Sequence, residues 1–174
     1  MNLHEELRWR GLIQDESPDL AERLASGPIT VYCGYDPTAP SLHAGNLQQI
    51  VVFRHFQRHG HQVIALAGGG TGLIGDPSGK SAERPLVDPE TVRAWSENVR
   101  GQIDRILEPG ATFVNNLDWL APLTMVEFLR DVGKHFPMGY MLAKESVKTR
   151  VHGEGMSYTE FSYMMLQSYD FLRL

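Results

Sequence analysis

The sequence predicts an α/β fold built on a doubly wound parallel sheet. Two observations carry this. A β-branched and aromatic run at 29–35, with Ile29, Val31 and Tyr32, is followed by a helical period at 46–58. A second apolar run at 62–67 then leads straight into a glycine-rich stretch, 68–79. Strand, helix and strand in that order make a parallel unit with a right-handed crossover. A third short strand at 112–114 extends it, and helical segments alternate throughout.

Each element has a local cause. Leu3 and Leu7, with Trp9, mark one face of a short N-terminal helix. Ser17 as N-cap and Pro18 at the first helical position open a second helix that runs to Leu24. Pro37 and Pro40 end the first strand and set turns. Leu47, Ile50, Val51, Phe53 and Phe56 then recur mainly at three- and four-residue steps, so a helix begins near His43 to Asn46. Asp88 caps the next helix with Pro89 inside it, and Val92, Trp95, Val99, Ile103 and Ile106 form its buried stripe. Thr124 and Glu127 make a capping box for a helix to Val132, which Gly133 stops. Ser157 and Glu160 make another, for a helix running to the end. No internal repeat or low-complexity tract interrupts the chain.

The 174 residues suffice for one domain with a sizeable core, and 42% apolar with 21% charged residues is ordinary for a globular protein. A net charge of −5 argues against a broadly basic nucleic-acid surface, though not against a local patch. One cysteine, Cys33, excludes an internal disulfide framework and fits a reducing compartment. No segment approaches membrane-spanning length, and the charged start, with Glu5, Glu6, Arg8 and Arg10, lacks the apolar core of a signal peptide. A cytoplasmic location is the expectation, with no membrane partner. The seven histidines have no metal-ligand spacing with Cys or Glu, so no metal site is expected. His55, His59 and His61 are expected at the surface, and Met164 and Met165 in core packing.

Chemistry concentrates in three places. The first is the start of the helix after the proline-broken loop. Its free backbone N–H groups and positive dipole end attract phosphate. Gly45 lets a ligand approach the backbone, and His43 and Asn46 add side-chain donors three positions apart. A helix-capping histidine is the bland alternative for His43. The second place is the glycine-rich run. Gly70-Thr71-Gly72-Leu73-Ile74-Gly75 has the spacing of a dinucleotide fingerprint, but Pro77, Gly79 and Pro85 interrupt the helix that fingerprint requires. The stretch 75–81 is one residue too short between its glycines for a phosphate-binding P-loop. The third place is the last helix, where Tyr163, Gln167 and Asp170 share one face, with Phe161, Met165, Leu166, Tyr169 and Leu172 available for packing. A solvated polar stripe is the alternative there, although tyrosine is a costly choice for it.

The segment 32–46, reading Tyr-Cys-Gly-Tyr-Asp-Pro-Thr-Ala-Pro-Ser-Leu-His-Ala-Gly-Asn, resembles the first signature of the class I aminoacyl-tRNA synthetases. Together with Gly72-Leu73-Ile74-Gly75-Asp76-Pro77-Ser78-Gly79-Lys80, and with the stretches 128–136 and 161–171, it resembles the bacterial tyrosyl-tRNA synthetase family over nearly the whole chain. Asn46 stands where the family usually has a second histidine; it keeps a neutral N–H donor and loses the titratable ring.

The resemblance implies a Rossmann-like nucleotide-binding fold, incomplete at its C-terminus. It divides the chain into N-terminal helices (1–28), the first half of that fold (29–114), and a connecting and dimer-interface region with the substrate helix (115–174). It implies activation of L-tyrosine with ATP to tyrosyl-adenylate and transfer to tRNA(Tyr). Magnesium would arrive on the ATP phosphates, with no organic cofactor. Thr38, His43, Asn46, Lys80 and Arg84 would carry catalysis by binding phosphates, the last two from a loop that closes over pyrophosphate. Gly34, Asp36 and Gly45 would border the nucleotide with Thr38, His43 and Asn46. Tyr32 and Asp170 would bind the phenol hydroxyl, Asp76, Tyr163 and Gln167 the ammonium group, and Asp36 and Asn116 would lie beside the amino acid. A homodimer is implied near 135–158, where Phe136, Met138, Tyr140 and Met141 suit an interface. Lys144, Lys148 and Arg150 form a basic cluster for the acceptor end of tRNA.

The second family signature does not occur in the chain, and the apolar end 171–174 reads as an N-terminal fragment. A non-catalytic fragment that only binds tyrosine or dimerises is the alternative. Tryptophan activation and a nicotinamide-dependent oxidoreductase are the more distant rivals.

Overall fold

A computed structural model describes residues 1–77, 85–151 and 155–174. The chain divides into two compact units. The first comprises Met1–Tyr35, Ala39–Ala67 and Glu97–Val114, and the second Asp36–Thr38, Gly68–Ser96 and Asn115–Leu174.

The first unit holds the sheet. Strand β1 (Thr30–Tyr35) pairs in parallel with β2 (Gln62–Ala67), from Thr30 opposite Gln62 to Tyr35 opposite Ala67. Strand β3 (Thr112–Asn115) follows β2 in the order β1-β2-β3. Helix α1 (Leu3–Trp9) begins with a full capping box between Asn2 and Glu5. It buries Leu3 and Leu7 against Leu24 of α2 (Leu20–Ala25), while Trp9 is exposed, contrary to the sequence pattern. Helix α2 starts after Asp19, which makes no side-chain cap; Ser17 contributes only its carbonyl, which accepts from the Leu20 amide at 3.1 Å. Helix α3 (Ala44–Arg58) and the latter part of α4 (Pro89–Asp104) pack Ile50, Phe53, Val99 and Ile103 around Tyr35, Val63 and Ala65. Of the stripe expected on α4, Val92, Val99 and Ile103 are buried, and Trp95 and Ile106 only half-buried.

Two histidines depart from expectation. His55 and His61 are buried; His61 Nδ1 accepts from the Ile29 amide at 3.2 Å, and His55 Nδ1 lies 3.2 Å from Glu6. One ring nitrogen of each finds a partner, and the His61 ring also packs against Phe56, so burial carries little penalty.

The second unit is mostly short helices: α5 (Leu117–Leu120), α6 (Met125–Glu127), α7 (Met138–Ala143), α8 (Glu145–Val151) and the long α9 (Tyr158–Arg173). Thr124 and Glu127 form the predicted capping box, but Gly133 does not stop the helix. A π turn, Phe128–Val132, and a 3-10 turn, Gly133–His135, continue it until Phe136 becomes extended. Met141, Val147, Phe161 and Met165 form the apolar core, with Phe136 and Met164 packed on it. Met141 and Phe136 therefore face inward and only Met138 and Tyr140 of the expected interface residues are exposed. Leu172 is exposed as well, so it does not supply the packing expected of it. Arg150 leaves the expected basic cluster: it is buried, pairing with both oxygens of Glu160 at 3.0 and 2.9 Å and donating to the Gly155 carbonyl. A buried guanidinium is tolerated when a carboxylate and a carbonyl satisfy it, as they do here.

One buried group in the first unit is poorly served. Tyr35 is 1% exposed, and its hydroxyl, near the Cys33 thiol, has no partner in hydrogen-bond geometry among the described residues. Burial also pushes the Cys33 thiol pKa up. Tyr35→Phe removes the stranded hydroxyl without changing the ring. It is expected to raise unfolding free energy by about 1 kcal/mol, read as a higher urea midpoint at unchanged slope.

Candidate functional site

In the first unit the turn into α3 is built by its own side chains. His43 is the N-cap; its Nδ1 accepts from the Gly45 amide at 3.1 Å, and Asn46 Oδ1 accepts from the His43 amide at 3.2 Å. The capping role weighed from sequence is thus present. It does not consume the chemistry. With Nδ1 accepting, the neutral ring carries its proton on Nε2. His43 is exposed, and among the described residues no acceptor takes the protons of the Asn46 amide Nδ2. A Cβ on Gly45 would come within 3.0 Å of the His43 ring, so glycine there protects the ring position. Tyr32 and Gly34 lie on β1, the former half-buried and the latter exposed. A Cβ on Gly34 would meet Leu66 at an ordinary 3.5 Å, so packing does not demand that glycine.

In the second unit the polar residues converge. Asp170 is 2% exposed, and both its carboxylate oxygens accept N–H donors: Oδ1 from Trp119 Nε1 at 2.8 Å and Oδ2 from Asn116 Nδ2 at 3.0 Å. Asn116, fully buried, takes the Gly70 amide on Oδ1 at 2.7 Å and donates from Nδ2 to Thr71 Oγ1 at 3.0 Å. Thr71 in turn donates to Asp36 Oδ1 at 2.7 Å, and the Tyr163 hydroxyl donates to Asp36 Oδ2 at 2.8 Å. Tyr163 and Asp170 are buried, so the solvated-stripe alternative for this face of α9 is wrong there; Gln167 is exposed. Gln167, Tyr163 and Asp76 line one cavity of about 240 Å³ with Lys144 and Glu160. Thr38 lines another of about 250 Å³ with Gly72, Leu73 and Ile74. Lys80 and Arg84 lie outside the described residues.

Electrostatics follow from this burial. Desolvation raises the Asp170 pKa, and the bonds from Asn116 and Trp119 oppose the rise. Desolvation and the neighbouring Asp36, Asp76 and Asp170 carboxylates push the Tyr163 phenol well above its ordinary value. Its proton therefore stays on, directed at Asp36, and its lone pairs are what it can offer a ligand.

The glycines make room for this network. A Cβ on Gly68 would overlap Asp36 Oδ1 and approach Thr71 Oγ1; one on Gly69 would overlap the Asn115 side chain; one on Gly70 would press Leu120 at 2.7 Å. Thr71 and Trp119 escaped the sequence reading. Thr71 sat inside a glycine pattern considered only for its spacing, and nothing near Trp119 in sequence marks it as a partner of Asp170, 51 positions away.

Comparison with known proteins adds the family context. Residues 24–174 match the sequence profile of a family described as "tRNA synthetases class I (W and Y)". The chain is 54% identical to a tyrosine–tRNA ligase of Bacillus caldotenax, with 100% of this chain and 43% of that protein covered. It is 53% identical to the tyrosine–tRNA ligase of Opitutus terrae, at the same coverages. A C-terminally truncated mitochondrial tyrosyl-tRNA synthetase of Aspergillus nidulans superposes with a TM-score of 0.86 at 32% identity, covering 97% of this chain and 52% of that one. The chain thus spans less than half the length of the curated relatives it matches.

Replacing His43 can separate its two capacities. His43→Ala deletes the cap and is expected to cost about 1 kcal/mol of stability. His43→Asn supplies a strong N-cap and is expected to restore the thermal midpoint, while removing the outward Nε2–H.

Proposed function

The chain belongs to the class I tRNA synthetases of the tryptophan and tyrosine group, and from that premise we propose that it is the tyrosine-recognising part of a tyrosine–tRNA ligase. The observation that carries this reading is Asp170, a buried carboxylate held through both oxygens by Asn116 and Trp119. Each oxygen keeps acceptor capacity, and a phenol hydroxyl is the donor that would use it. Phenylalanine would leave that capacity desolvated and unmet, a cost that discriminates against it. Tyr32 is the proposed second partner of the phenol hydroxyl. A tryptophan side chain also has a donor, but the curated relatives at 53–54% identity over the whole chain favour tyrosine.

At the other end of the amino acid, Asp76 and Gln167 line the cavity that Tyr163 enters. Since Tyr163 gives its proton to Asp36, it presents lone pairs to an ammonium group. Asp36 is thereby a positioning residue for Tyr163, and Asn116 for Asp170. In the proposed reaction a tyrosine carboxylate oxygen attacks the α-phosphorus of ATP in line. The bond to the bridging oxygen breaks and pyrophosphate departs with the electron pair. A ribose hydroxyl of the terminal adenosine of tRNA(Tyr) then attacks the adenylate's carbonyl carbon, the bond from that carbon to the phosphate oxygen breaks, and AMP leaves with the electron pair as the hydroxyl proton is lost. Charge stabilisation and positioning supply the acceleration. His43 through Nε2–H, Asn46 through Nδ2, Thr38, and the helix start at Gly45 are the proposed phosphate ligands, with Gly34 and Asp36 bordering the nucleotide. Lys80 and Arg84 are the proposed cations for pyrophosphate. Magnesium enters as part of the ATP substrate.

Two coarser proposals accompany this reading. Exposed Met125, Val126, Leu129, Met138 and Tyr140 form apolar surface in the second unit, which fits a homodimer contact. Lys144 and Lys148 are the remaining exposed cations for the tRNA acceptor end, and a cytoplasmic location goes with that role.

Tyrosine-dependent exchange of pyrophosphate into ATP tests the proposal. The 174-residue chain is expected to bind tyrosine and to exchange weakly or not at all, and exchange is expected to become robust when the remainder present in its relatives is joined. In that joined form Asp170→Asn is expected to erode the preference for tyrosine over phenylalanine. Unchanged selectivity would count against the assignment of Asp170.

A further inference from the structure

The polar interior of the second unit is one continuous path running Trp119, Asp170, Asn116, Thr71, Asp36, Tyr163. We infer that Thr71 is the positioning residue that couples its two ends, so that the carboxylate at the phenol end senses the hydroxyl at the ammonium end. The terms "phenol end" and "ammonium end" rest on the tyrosine reading above; the coupling itself does not.

The coupling follows from proton order. An ionised Asp170 only accepts, so Asn116 must turn Nδ2 toward it. The Gly70 amide requires an acceptor, which fixes Oδ1 on the opposite side. The second hydrogen on Nδ2 then points at Thr71 Oγ1. Thr71 has one proton and receives one, and Asp36 Oδ1 lies 2.7 Å away, so the hydroxyl proton is committed to Asp36. The other oxygen of Asp36 takes the proton of Tyr163. Reversing any member sets two donors or two acceptors face to face.

Water cannot readily repair such a fault. Thr71 is 2% exposed and Asn116 0%, and the missing Cβ of Gly68 is what leaves space for the Asp36 carboxylate and the Thr71 hydroxyl side by side. Hydrogen bonds in series polarise one another in such surroundings. Thr71 is the point where the Asp170 half and the Asp36 half join, because its one oxygen accepts from the first and donates to the second. A valine in its place keeps the shape and cuts the path.

The Trp119 indole N–H reports on the far end without any ligand, since it donates to Asp170. Its resonance in a 1H–15N spectrum of the chain is identified by its loss in Trp119→Phe. Tyr163→Phe is expected to move that resonance while Thr71 is present and to leave it unmoved in Thr71→Val, with Thr71→Ser restoring the response. Should the valine variant not fold, judged by circular dichroism, Thr71→Ala makes the same deletion. Calorimetric titration with L-tyrosine gives the second readout. Thr71→Val is expected to weaken binding about tenfold, the size of one net hydrogen bond to a charged group, with Thr71→Ser recovering most of it. If Tyr163→Phe moves the indole resonance equally in both backgrounds, or in neither, Thr71 does not couple the ends and the inference is wrong. If the resonances behave as expected but the chain binds no tyrosine at millimolar concentration, the coupling stands and the tyrosine reading falls.

Discussion

One buried amide, Asn116, holds the interior of the second unit in register. Its side chain answers a backbone N–H from the glycine-rich run, a hydroxyl one residue on, and a carboxylate on α9. The first two are adjacent in the chain, the third comes from some 100 residues on, and all three lie in buried residues. An amide suits this crossing because it supplies an acceptor on one side and two donors on the other. A carboxylate there would repel Asp170, and an apolar residue would strand all three partners, each at the cost of a buried unsatisfied group. The proposed recognition of a phenol is an outgrowth of this packing problem. Asp170 is tolerable in the interior only because Asn116 and Trp119 hold it, and being held is also what would make it selective.

The glycines around this amide have a spatial reason more than a conformational one. At Gly68, Gly69 and Gly70 the volume a Cβ would occupy already belongs to Asp36, Asn115 and Leu120. The backbone comes close to side chains there, and the Gly70 N–H joins their network through Asn116. The helix start at Gly45 uses the same device on a smaller scale, where the absent Cβ keeps the His43 ring in its capping position. In both places structural and chemical duties fall on the same atoms. His43 spends one nitrogen on the helix and keeps the other, and Tyr163 spends its proton on Asp36 and keeps its lone pairs.

Much of the framework was legible because its signals are local. The strands at Thr30–Tyr35 and Gln62–Ala67, the long helix after the proline-broken loop, the capping box at Thr124 and the N-cap at Ser157 depend on residues within four positions of one another. The errors came where distant partners intervene. Gly133 reads as a helix stop, yet the chain continues through a π turn and a 3-10 turn while Phe128 and Phe136 pack on the core. Arg150 reads as a surface cation, yet Glu160 ten positions on draws it inside. His55 and His61 read as surface residues for the same reason, their partners Glu6 and Ile29 being remote in sequence.

By itself the sequence determined the α/β order, the parallel unit, the helix start around His43 and the shared face of Tyr163 and Asp170. Periodicity and capping are properties of neighbours along the chain, and motif resemblance named the residue types to expect. Only the tertiary structure decided that Thr71 and Trp119 belong with Asp170, that the Tyr163 proton is committed to Asp36, and that Gly68 and Gly69 yield their volume to polar side chains. Those facts depend on which groups meet after some 35 to 127 residues of intervening chain have folded, and on how few donors and acceptors a dry interior leaves to choose from.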